Sequence, residues 1–74
     1  MNERPEELKK LSAIATDLGF SADLRIKAIE QLGNVRSQEA LLTVLDLAAN
    51  DQLTVKEREL ALKQAQKIIR AISE

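Results

Sequence analysis

The sequence predicts an all-α fold: four helices in two antiparallel hairpins, within a single domain spanning residues 1–74. Three observations predict it. Apolar positions recur at i, i+3, i+4 and i+7 in successive blocks, the period of a half-buried helix. Each block is bracketed by helix-starting and helix-ending residues. The composition is rich in Leu, Ile, Ala and Val, with two Gly, one Pro and a single aromatic residue, Phe20, which leaves little for strands and their turns. Apolar residues at 45% and charged residues at 31% belong to a folded chain rather than a disordered one. A chain of this length buries only about 60% of the surface its unfolded form exposes, so the core is expected to be small and the stability modest.

The first helix is expected to begin at Pro5, where the missing N–H of proline is not needed. Glu6 and Glu7 place negative charge at the positive end of the helix dipole. Leu8, Leu11, Ile14, Ala15 and Leu18 form its apolar stripe, and Gly19 is expected to end it in the left-handed conformation. The second helix runs from the cap Ser21 to Gly33 and puts Arg25, Ala28, Ile29 and Leu32 on one face. Ser37 caps the third helix, about Gln38 to Ala49, which is apolar nearly all round. Such a helix is expected at the centre, packed on more than one side. Thr54 with Glu57 forms a capping box for the fourth helix, about Val55 to Ile72, whose stripe is Ala61, Ala65, Ile68 and Ile72 shouldered by Leu62 and Ile69. The connections are short, which makes neighbouring helices antiparallel.

Composition also narrows function. Cys and His are both absent, so there is no disulfide framework, no Cys–His or Ser–His nucleophile pair and no ordinary zinc site. A net charge of −1 argues against nucleic acid. The N-terminal residues lack an apolar signal core, and no apolar run approaches the roughly 20 residues of a membrane span. The expected compartment is the cytoplasm, with no membrane partner. The carboxylate pairs Glu6/Glu7 and Glu57/Glu59 stand at helix starts, where capping and the dipole explain them without catalysis. No metal and no cofactor is expected.

Sliding the chain against itself by 33 residues, the separation of Leu8 from Leu41, gives a match without a gap. Leu11 meets Val44, Ile14 meets Leu47 and Ala15 meets Ala48. Ser21 meets Thr54, Arg25 meets Arg58, Ala28 meets Ala61, Ile29 meets Leu62 and Gln31 meets Gln64. Caps, turns and stripes match together, which marks a helical repeat. Leu24-Arg25-x-x-Ala28-Ile29-x-x-Leu32-Gly33, followed by Ser37-x-x-Ala40-Leu41-x-x-Val44-Leu45, resembles a HEAT repeat of the short type found in phycobilin lyases and many small bacterial proteins. The resemblance implies an α-α superhelical stack or compact bundle, with Ser21–Gly33 and Ser37–Ala49 as first and second helices of one repeat. Residues 5–18 then stand for the second helix of a preceding repeat, and 54–72 for the first helix of a following one. The last helix departs from the pattern, with Ala65-Gln66 in place of Leu-Gly, as a terminal capping helix would.

Arg25 and Arg58 share a repeat position with Ala28 and Ala61 behind them, and a repeated residue usually serves the repeat. Each arginine is read as structural, its stem packed over a neighbouring helix and its head on a carboxylate or turn carbonyl, in preference to a contact with an anion or acidic partner. Leu42, Ala49 and Leu60 lie off the main stripes, a surplus that either closes into the bundle or leaves an open end face. The expected function is therefore a non-enzymatic protein–protein interaction module or scaffold, built from about two HEAT-like repeats. Its partner is another protein, or a second copy through the open end face. Lys9, Lys10, Leu42, Thr43 and Asp46 are the candidate contacts on the outer helices. The alternative is an accessory subunit or fragment of a larger HEAT-repeat protein such as a bilin-lyase-type enzyme, against which stand the chain's size and its single aromatic. Nucleic-acid binding through a basic concave face ranks lower.

Overall fold

Three of the four helices, the second, third and fourth, begin where a side chain satisfies backbone N–H groups that have no partner in the first turn. The computed structural model describes residues 5–73, the side chain of Pro5 excepted. It contains α1 (Pro5–Thr16), α2 (Ala22–Leu32), α3 (Gln38–Ala48) and α4 (Val55–Ser73). Ser21 Oγ accepts from the Leu24 N–H at 3.3 Å, and Ser37 Oγ accepts from the Ala40 N–H at 3.1 Å. At α4 the capping box is reciprocal: Thr54 Oγ1 accepts from the Glu57 N–H at 3.1 Å, and Glu57 Oε1 accepts from the Thr54 N–H at 3.0 Å.

The ends depart from expectation in two places. α1 stops at Thr16 instead of running to a glycine stop at Gly19. Thr16 donates its hydroxyl to the Ser12 carbonyl at 2.9 Å, and Asp17 Oδ1 accepts from the Gly19 N–H at 2.8 Å. The Asp17–Gly19 bond offers the backbone a turn in place of another helical turn, and Leu18 leaves the stripe and is exposed. No described residue has a positive φ, so the expected left-handed glycine at Gly19 is absent. At Gly33 the backbone is right-handed, φ −67° and ψ −15°. What glycine provides there is room. A Cβ at that position would stand 2.7 Å from Gln64 Cδ and 3.1 Å from Gln64 Cβ, and would collide with Gln64 Oε1.

The helices lie in two layers. α1 packs along α2 and α3 along α4, the two most extensive contacts in the molecule. The two hairpins then lie side by side, α1 against α3 and α2 against α4. Both side-by-side pairs run parallel. Along α2 and α4, Arg25 meets Glu57 and, further on, Asn34 meets Lys67. α2 and α3 touch only lightly, and α1 and α4 do not touch among the described residues. The close hairpins are thus α1/α2 and α3/α4, pairs that the HEAT resemblance assigns to successive repeats. The second hairpin repeats the first in the same orientation. The radius of gyration, 11.3 Å, is that of a compact chain of this length, about 11 Å.

The core runs between the layers. Leu8 and Ala15, Ala28 with Ile29 and Leu32, Ala40 with Val44 and Leu47, then Leu53, Ala61, Ala65 and Ile68 are buried. Leu60, expected as surplus, packs against this core. α3 is not covered all round: it touches the other three helices but leaves Leu42 and Leu45 exposed. In α4 the buried stripe includes Glu57 and Gln64, whereas Ile72, Leu62 and Ile69 face outward. Burial here follows from which side each helix turns to a neighbour: α4 meets α3 and α2 and leaves the rest of its surface open.

Candidate interaction surface

The α2–α4 seam shows what joins one hairpin to the next. Arg25 Nη2 donates to Glu57 Oε2 at 2.8 Å and Nε donates to the same oxygen at 3.2 Å. Nη1 donates to the Phe20 carbonyl at 2.7 Å. Glu57 is 2% exposed and uses its other oxygen for the capping box. Burial pushes its carboxyl up, but the Thr54 N–H, the hydrogen bond and charge of Arg25 and the Thr54 hydroxyl outweigh that push, so it is held below its ordinary value of 4.5. One carboxylate therefore caps α4 and ties it to α2. A carboxylate held ionised and fully bonded is poorly placed to give or take protons.

The 33-residue offset carries this seam to the far side of α4, where nothing covers it. Arg25 maps onto Arg58 and Ile29 onto Leu62. Ile29 is 0% exposed, whereas Leu62 is 48% exposed. Arg25 is buried in its ion pair, whereas Arg58 is half-buried with no side-chain hydrogen bond or ion pair among the described residues. Arg58, Leu62, Val55, Glu59 and Ala48 line a shallow concavity where α3 and α4 meet. On α3 the same shift carries Lys9 and Ser12 of the α1–α3 seam onto Leu42 and Leu45. Leu42 is 62% exposed. The outer side of the second hairpin is thus an apolar face with an unpaired arginine, built on the positions that join the two hairpins inside the molecule.

The candidate residues fall into separate places. Lys9 and Thr43 come together at a shallow depression between α1 and α3, with Leu8, Ser12 and Glu39. Thr43 spends its hydroxyl on the Glu39 carbonyl at 2.8 Å. Lys10, although exposed, does not line that depression. Leu42 and Asp46 are exposed one turn apart on α3. Ala28 and Ala61 are both buried at the same repeat position. Two residues of the seam escape a reading by periodicity. Glu57 is legible as a cap, but its bond to Arg25 is tertiary. Gln64 is buried against Gly33, and its Oε1 has no hydrogen-bond partner. The one local signal was Glu57 standing at the offset position of Leu24, an acid replacing a leucine.

Among the described residues no group of His, Cys, Asp and Glu is arranged to hold a metal, and no helix is long and apolar enough to cross a membrane. No protein-family model, curated protein or solved structure matches the chain.

Proposed function

We propose that the chain is a non-enzymatic protein-interaction module, two stacked helical hairpins of HEAT-like type that present one hairpin face to a partner protein. The observation that carries this reading is the outer face of α3 and α4, where Leu42, Leu45 and Leu62 stand uncovered. Their offset counterparts on the first hairpin lie at or beside a helix–helix seam. A group of large apolar side chains left exposed on one hairpin of a small protein is a candidate interaction site. A stack of like units offers a rigid surface at little ordering cost, which suits recognition. The same face would serve in a larger repeat protein, which is the second reading that the 33-residue self-match favours.

The test is quantitative affinity capture with the wild-type chain and with the double variant Leu42→Ser/Leu62→Ser. A protein retained by wild type and lost by the variant is the expected result. Identical retention by both would remove the face from consideration.

A further inference from the structure

We propose that the open face of the second hairpin takes a helix of a partner protein that delivers a carboxylate to Arg58, in the manner in which Glu57 meets Arg25 inside the molecule. The proposal rests on the interaction reading above and names the chemistry of the partner.

The argument is continuity with the internal seam. That seam is an arginine projecting from one helix, an apolar residue one turn further along it, and a capped helix lying parallel whose third helical residue is the acid. The receiving half of the arrangement recurs on α4 as Arg58 and Leu62. The donating half is missing. Arg58 is half-buried in an apolar concavity, and no described carboxylate lies within ion-pair distance, although Glu59 lines the same concavity. A guanidinium so placed gains most from a carboxylate brought in with the surface that excludes water from it.

The chain's own residues make a second copy, stacked head to tail, a poor occupant. The outward face of the first hairpin carries Leu24 at the position of Glu57, so Arg58 would meet a leucine. The second hairpin's own sequence is also a poor fit. Gly33, which admits Gln64, is replaced at the offset position by Gln66, and two glutamines would compete for that space. The partner helix thus has an acid in its first turn and a small residue two turns later, opposite Gln66. A Ser/Thr-x-x-Glu cap supplies the acid with its oxygen already aimed.

A synthetic hairpin with the sequence of residues 38–73, changed by Gln64→Ala to meet Gln66 and verified as helical by circular dichroism before use, is the probe. It is titrated into the 15N-labelled full chain, beside a second hairpin that also carries Glu57→Gln. Amide shifts centred on Leu42, Arg58 and Leu62 are expected, with the Glu57→Gln hairpin binding at least about tenfold more weakly. Arg58→Gln in the full chain, checked for folding by circular dichroism, should bind the two hairpins alike. Equal binding of both hairpins to the wild-type chain overturns the carboxylate and leaves the interaction face standing. Shifts on the outer side of α1 and α2, or no shifts at all, overturn the site. A dimeric mass by light scattering of the chain alone, abolished by Leu42→Ser/Leu62→Ser, shows that a second copy occupies the face and also overturns the proposal.

Discussion

Glu57 and Gly33 are the two residues on which the joining of the hairpins most depends. Glu57 joins a helix cap to a buried ion pair, so its charge matters more than its shape. Removing one partner of a buried pair leaves the other uncompensated. Glu57→Gln keeps the cap geometry and is expected to cost about 2–3 kcal/mol, because Arg25 retains its bond to the Phe20 carbonyl. A domain of this size has roughly 4–11 kcal/mol in total, so urea unfolding will resolve the loss. Because the folded-state pKa of Glu57 lies below 4.5, the unfolded chain takes up that proton first as the pH falls. Its contribution is complete above about pH 4.5 and is lost as the pH drops through the folded value. The stability gap between wild type and Glu57→Gln should therefore narrow below pH 4.5, and a gap constant down to pH 2 would contradict this account. At Gly33 two effects oppose. Alanine suits a right-handed helix end by up to about 1 kcal/mol, but its Cβ meets Gln64. Overpacking of this kind costs about 1–3 kcal/mol. Gly33→Ala should destabilise by about 1 kcal/mol, and Gly33→Ala/Gln64→Ala should recover that loss in a double-mutant cycle.

At the scale of the element, caps decide where α2, α3 and α4 begin, and a short side-chain bond at Asp17 marks where α1 ends. Ser21, Ser37 and Thr54 were legible as caps because the signal lies within three residues of the helix start. Ser37→Ala should cost about 1 kcal/mol, measured by thermal or urea unfolding, because the Ala40 N–H then loses its acceptor. The end of α1 was not legible. The apolar period continues to Leu18, but the carboxylate of Asp17 turns the backbone first. In α4 periodicity placed Ala61, Ala65 and Ile68 correctly and missed Glu57 and Gln64, since a polar side chain reads as outward until its partner is known.

For the whole molecule, stacking of like hairpins explains both the core and the surface left over. Each hairpin covers the other on one side, and a pair has two uncovered ends. The end at α3 and α4 is the more apolar on α3, where Leu42 and Leu45 replace the Lys9 and Ser12 of the first hairpin. Because Leu42 and Leu62 are exposed, Leu42→Ser/Leu62→Ser should change unfolding free energy by no more than about 0.5 kcal/mol per site. A larger loss would mean that these side chains support the fold, and the case for a docking face would fall with it.

The sequence by itself determined the number of helices, three of their starting caps, most of the buried apolar positions and the internal offset that makes one hairpin the likeness of the other. These are short-range properties, written in spacings of three and four residues or in the recurrence of the whole pattern. Only the tertiary structure decided that α1 pairs closely with α2 and α3 with α4, that Arg25 finds Glu57, that Gly33 serves Gln64, and that Arg58 finds no carboxylate. The Arg25–Glu57 and Gly33–Gln64 contacts join residues about a whole repeat apart. At that separation periodicity gives the face a side chain points to, but the packing of one hairpin on the next chooses what it meets there.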